Sequence, residues 1–178
     1  MTFLLIAFVI SAVILGTLIY RKYETSGLKP TPPQPQEEGM LLVTLFFSSP
    51  DGAGLVREAR EIDACTDPKI CVEEILEELI NGPVGDMSPT LPPTVTFRSV
   101  RVEGDIATVD FGKELSEGLP AGSNAEMMAV YSVIDSLAFN FPGIKKVKFL
   151  QEGEAIRTLG QLDLATPLTP DFTLEKKQ

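Results

Sequence analysis

The sequence predicts an α+β fold: a two-layer sandwich in which one mainly antiparallel sheet carries two helices on one face, preceded by a transmembrane helix. Three observations lead there. The first is an uncharged run over residues 3–19, FLLIAFVISAVILGTLI. The second is a pair of segments whose apolar residues recur at helical spacing. The third is a set of short apolar or alternating runs, each stopped by turn-forming residues. Their order is β-α-β-β-α-β-β. Two helices patterned on one side must both cover the same sheet. The chain divides accordingly into an anchor (1–22), a proline-rich linker (23–39), a folded domain (40–170) and a C-terminal tail (171–178).

With Thr2 and Tyr20 at its edges, the apolar run covers 19 residues. At helical rise that is about 28 Å, close to the thickness of a bilayer's hydrocarbon core. A cleaved signal peptide would have a shorter apolar region with positive charge ahead of it. Here no Lys or Arg precedes the run, and Arg21 and Lys22 follow it directly. An uncleaved single-pass anchor is the expectation. Those two charges argue by the positive-inside rule for a cytoplasmic domain, with Glu24 and the amino terminus partly offsetting them. Residues 29–38, KPTPPQPQEE, hold four prolines and almost nothing apolar. They form an extended spacer that lifts the domain off the membrane.

The domain opens with Met40–Phe47, an apolar run ended by Ser48-Ser49-Pro50-Asp51-Gly52, which is the pattern of a buried strand. The following glycine-rich loop lacks phosphate-binding spacing and is read as a turn. Val56–Ile62 then leads to Cys65. Residues 68–81 form an amphipathic helix: Val72, Ile75, Leu76, Leu79 and Ile80 make one stripe, and Glu73, Glu74, Glu77 and Glu78 the solvated side. Asp67 is its N-cap, Pro68 its first residue, and Gly82-Pro83 its end. A hairpin follows, with strands 94–102 and 106–111 around Glu103-Gly104-Asp105. Its alternation slips between Phe97 and Val100, which places a bulge at Arg98-Ser99. The second helix carries Met127, Val130, Tyr131, Ile134, Leu137, Ala138 and Phe141 at helical spacing. Ser123 and Glu126 read as a capping box, and Pro142-Gly143 as its stop. Strands 146–150 and 155–159 come next, then an extended stretch 161–170 and a frayed tail.

Composition narrows the function. Of 178 residues, 25 are acidic and 15 basic, a net charge of −10. Residues 1–39 hold three of each sign, so the domain carries 22 acidic against 12 basic side chains. Such a surface repels nucleic-acid phosphates, and nucleic-acid binding is excluded. The absence of histidine removes the commonest general base and metal ligand, along with every Ser-His and Cys-His nucleophile. No tryptophan is present to form a sugar-stacking platform. No catalytic, cofactor-binding or metal site is assigned. The carboxylates Asp51, Glu103, Asp105 and Asp110 are the candidates for an alternative reading as a cell-wall hydrolase, but none shows the spacing of an acid–base pair. Asp105 and Asp110 lack calcium-loop spacing.

Cys65 and Cys71 are the only cysteines, and they flank the start of the first helix. A disulfide between them would staple that helix start in an oxidising compartment. The other reading is two unrelated thiols, since two cysteines cannot complete a zinc site.

The domain resembles the GerMN family, named for the sporulation and germination protein GerM. The likeness rests on the strand exit Phe46-Phe47-Ser48-Ser49-Pro50, on Arg60, and on the helix exit Ile75-Leu76-Glu77-Glu78-Leu79-Ile80-Asn81-Gly82-Pro83. It continues through the hairpin 100–111 and the stretch Val147-Lys148-Phe149-Leu150-Gln151-Glu152-Gly153. It spans roughly residues 40–167. The resemblance implies an extracytoplasmic domain of the bacterial envelope, anchored by membrane helix or lipid and linked with sporulation, germination and peptidoglycan-associated assemblies. It further implies a fold similar to the ring-building modules of secretion-type complexes. It carries over no catalytic residues. This chain departs from the pattern in its single domain copy and in having an anchor where a lipobox cysteine would stand. The expected protein is a membrane-tethered, non-catalytic interaction module facing outward. Its partners would be envelope proteins, peptidoglycan or further copies of itself; a cytoplasm-facing scaffold is the third reading.

Overall fold

The computed structural model describes residues 15–17, 39–120 and 122–176. The chain separates into two units, 1–36 and 37–178. Of the first, only residues 15–17 are described, and they are helical. The expected anchor and linker therefore lie almost wholly outside the described residues. Among the described residues no helix is long and apolar enough to cross a membrane.

The second unit begins with a hairpin of β1 (Met40–Ser48) and β2 (Leu55–Asp63), followed by helix α1 (Pro68–Asn81). Strands β3 (Phe97–Glu103) and β4 (Ile106–Phe111) come next, then a short helix α2 (Glu114–Glu117) and the long helix α3 (Ser123–Asn140). The chain continues through β5 (Lys146–Gln151), β6 (Glu154–Ala155), β7 (Thr158–Leu159) and β8 (Leu162–Asp163) to a 3-10 turn at Phe172–Leu174. The α+β class holds, but the single sheet does not. Among the described residues three sheets form instead: β1-β2, β3-β4-β5-β6 and β7-β8. The middle one is mixed, because α3 carries the chain back so that β5 runs parallel to β4. The expected strand 155–159 is split, its first residue pairing with β5 and its last two with β8.

Strand β2 has no counterpart in the predicted order. Its inward positions are Val56, Glu58, Arg60 and Ile62, so apolar–polar alternation is broken by charges whose partners lie elsewhere. The bulge near Arg98-Ser99 is present, with the β3–β4 register shifting between Phe97 and Ser99. Helix α1 begins and ends as expected. The Asp67 carboxylate accepts from the Lys69 N–H at 2.8 Å, and Gly82 leaves the helix at φ 82°, a conformation that favours glycine. At α3 the N-cap position falls one residue before the expected Ser123. Gly122 is the N-cap, and Glu126 instead accepts from the Gln161 N–H at 3.0 Å, which ties the helix to the β7–β8 turn.

One core joins these elements. Val43, Leu45 and Phe47 of β1 meet Val72, Ile75, Leu76 and Leu79 of α1, and Val133, Ile134 and Leu137 of α3, together with Val109, Phe111 and Phe149. Helix α3 is buried on more than one side, since Ser132, Asp135 and Ser136 are as inaccessible as its apolar stripe. Its second covering is a smaller cluster of Phe46, Leu55 and Met128, with Leu174 packed against it. Residues 172–176 therefore do not fray. Glu175 bridges to Leu55 in parallel register, and the Lys176 N–H donates to the Leu55 carbonyl at 2.8 Å.

Candidate functional site

The Ser48–Gly54 connection between β1 and β2 separates two clefts. It is held as a local polar turn. The Ser49 hydroxyl donates to Asp51 Oδ1 at 2.7 Å, and the Ala53 N–H reaches both Ser49 Oγ and Asp51 Oδ1 at 3.2 Å. This arrangement satisfies backbone donors that a tight turn leaves over. Gly54 is required because a Cβ there would stand 2.6 Å from the Leu174 carbonyl oxygen, a backbone atom that cannot move aside. Asp51 also pairs with Lys176, which joins the turn to the C-terminal segment.

The first cleft encloses about 590 Å³ between Pro50, Val56, Met87 and the rim groups Asp51, Asp86 and Lys176. The second, about 370 Å³, lies across Pro50-Asp51 and is lined by Ser48, Ser88, Thr90, Leu119, Asn124 and Met128 among others. The apolar floor and few polar rim groups of the first cleft suit the holding of a side chain or small group, whereas the second is lined about equally by polar and apolar surface. Hydrogen bonds from Lys176, Ser49 and the Ala53 N–H hold the Asp51 carboxyl well below the usual carboxylate range. So acidic a group is a poor proton acceptor near neutral pH.

The other carboxylates are dispersed. Glu103 and Asp105 lie at the β3–β4 turn. Asp110 is buried on β4, where it accepts from the Gly153 N–H at 2.9 Å. None of the four bonds to another, and among the described residues no group of three acidic or cysteine side chains could hold a metal. Cys65 and Cys71 do come together. Their sulfurs are bonded at 2.08 Å with Cα atoms 5.4 Å apart, which fixes the chain entering α1.

Arg60, placed by sequence before the first helix, lies on the inner side of β2. Its guanidinium contacts the Glu58 and Glu78 carboxylates, and donates to the Gly82 carbonyl at 3.1 Å. Glu58 in turn accepts from the Val84 and Gly85 N–H groups at 3.0 Å. Burial opposes charge on both residues, yet the mutual bonds prevail, so the Arg60 pKa is raised and that of Glu58 lowered. The cluster pins the exit of α1, and with it the 84–87 loop that walls the first cleft. Arg60→Ala leaves two carboxylates without their cation. It is expected to cost about 2–3 kcal/mol, read as a lower urea midpoint at unchanged slope. Arg60→Lys should recover only part, because an ammonium lacks the fork that reaches both carboxylates.

Fold and site together define a disulfide-stapled, acidic α+β domain whose accessible features are clefts and a strand edge. The family model described as "Germane: Sporulation and spore germination" matches residues 44–157, and the chain belongs to that family. Solved structures share the fold. A candidate lipoprotein from Clostridium perfringens aligns with TM-score 0.54 at 23% identity, over 76% of this chain and 91% of that one. The first GerMN domain of the sporulation protein GerM from Bacillus subtilis aligns with TM-score 0.52 at 21% identity, over 74% and 96%. The tandem GerMN domains of the same protein align with TM-score 0.57 at 20% identity, over 75% of this chain and 46% of that one. This chain thus spans about half of the tandem protein. A comparison with curated proteins finds no significant match.

Proposed function

We propose that this chain is a membrane-tethered interaction module of the bacterial cell envelope, sporulation- or germination-related, working outside the cytoplasm by binding. The observation that carries the reading is the Cys65–Cys71 disulfide within a sporulation and germination family domain. Disulfides persist in oxidising compartments, and a bond at the helix entry outweighs the two flanking charges Arg21 and Lys22 as evidence of side. The apolar run 3–19 is the tether and the proline-rich stretch the stalk. Binding is favoured over catalysis because the candidate carboxylates are dispersed and Asp51 is committed to Lys176. The partners are envelope proteins or peptidoglycan.

Labelling of the native cysteines in whole cells tests the compartment. A membrane-impermeant maleimide is expected to react with Cys65 and Cys71 only after an impermeant phosphine has reduced their bond. Labelling that needs lysis but no reductant would place free thiols in the cytoplasm and overturn the reading.

A further inference from the structure

The two edges of the β1–β2 hairpin are finished differently. On β1, the Thr44 N–H donates to Asn140 Oδ1 at 2.9 Å, and Asn140 Nδ2 donates back to the Thr44 carbonyl at 2.6 Å. The Phe46 N–H donates to Ser136 Oγ at 3.0 Å, and Ser48 pairs with Ser88. That edge is covered from Thr44 to Ser48. In an antiparallel ladder, the residue facing Thr44 must also turn its N–H and C=O outward, and that residue is Ala59. The same parity holds for Arg57 and Glu61, opposite Phe46 and Leu42. Among the described residues none of these outward groups has a backbone partner. An open groove of about 540 Å³ runs beside them toward Val84 and Gly85.

The order of side chains on this open edge is self-complementary. Reading outward from Ala59, Glu58 mirrors Arg60, Arg57 mirrors Glu61, and Val56 mirrors Ile62. We propose that two copies of this chain pair antiparallel through residues 57–61 about a two-fold axis at Ala59, joining their hairpins into one four-stranded sheet. In that register Arg57, which pairs with Glu175 at 2.6 Å within its own chain, also faces Glu61 of the second copy. The mutually bonded Glu58 and Arg60 of each chain face Arg60 and Glu58 of the other on the opposite face of the sheet. The outward N–H and C=O groups of Ala59 meet their own counterparts, and those of Arg57 meet those of Glu61, as the ladder requires. Moving the axis to Glu58 or Arg60 sets like charges face to face, and parallel pairing in register sets Arg57 on Arg57. Charges on an edge strand otherwise serve to repel foreign strands. Here their order admits one partner, the same strand reversed. The C-terminal segment at Leu55 ends the free stretch, so the contact is short and the dimer weak and concentration-dependent.

The test uses the full chain in detergent micelles, followed by sedimentation equilibrium and far-UV circular dichroism. Arg57→Glu and Glu61→Arg should each weaken self-association at least tenfold while remaining folded. The double variant R57E/E61R should restore it, since opposite charges again face each other. An equimolar mixture of the two single variants should form a mixed dimer that neither forms alone. Ala59→Cys, whose Cα atoms would stand about 5.5 Å apart across the axis, should oxidise to a covalent dimer, whereas Glu103→Cys on the distant hairpin should not. A wild-type chain that sediments as a monomer at every concentration would overturn the proposal. So would single variants that associate like wild type, or a mixture that gains nothing.

Discussion

Replacing Phe111 with alanine should lower the unfolding free energy by about 3–5 kcal/mol, the range for deleting a fully buried ring whose site cannot collapse. Phe111 is wholly inaccessible and stacks on Phe149, with ring centroids 6.0 Å apart and planes 13° from parallel. Its backbone is held on every side. It pairs with Phe97 in β3 and with Gln151 in β5, and its carbonyl accepts from the Glu152 N–H at 3.0 Å. A strand end fixed in this way cannot shift to fill the void, so most of the transfer and cavity cost should be felt. The measurement is urea unfolding followed by circular dichroism, since the chain has no tryptophan. The midpoint should fall at unchanged slope. Phe139→Ala, at a ring 39% exposed, serves as the comparison and should lose far less. Equal losses at the two positions would mean that the packing around Phe111 is not what holds the sheet.

The elements legible in the sequence are those whose stabilising partners are local or periodic. Helix α1 has its cap, stripe and stop within 16 consecutive residues, 67–82, and each signal corresponds to a contact. Strand β4 alternates and is bounded by a Glu-Gly-Asp turn, so its limits match. The Cys65–Cys71 pair was legible because its loop is short. Strand β2 was not, because Glu58 and Arg60 face inward to partners on α1 and the 84–85 loop. Nothing local identifies Lys176 either. Its partners Asp51 and Leu55 are more than a hundred residues away, and the tail reads as polar and terminal. The parallel β4–β5 pairing likewise depends on how α3 crosses, which no periodicity encodes. The burial of Asp135 has no local signature, because a lone acid in a helix normally marks the solvated side. The available signal was its setting among Ser132, Ser136 and Ile134, small or apolar neighbours that let a second layer close over the helix.

That second layer makes Asp135 the basis of a pH-dependent stability. Its carboxyl is fully inaccessible; Oδ1 accepts from the Asp171 N–H at 3.0 Å, and Oδ2 has no partner among the described residues. Burial raises its pKa from 3.8 to about 6. The Asp171 N–H opposes that rise, and the nearby Asp171 and Glu175 charges add to it. Burial, followed by the Asp171 and Asp135 charges, raises the Tyr131 pKa as well. A folded-state pKa above the unfolded one means that the native protein holds the proton more tightly between pH 4 and 6. Stability from this group is therefore greatest below pH 4 and falls as pH rises, levelling above about pH 6. A difference of about two units corresponds to about 3 kcal/mol. Asp135→Asn keeps an oxygen for the Asp171 N–H and cannot ionise. The stability difference between the variant and wild type should therefore shift in favour of asparagine by about 2–3 kcal/mol as pH goes from 4 to 7. Taking that difference cancels the titration of the other carboxylates, provided they keep their surroundings. A difference that stays flat across this range would show that Asp135 is solvated or partnered in the folded protein, and that the C-terminal segment does not close over it.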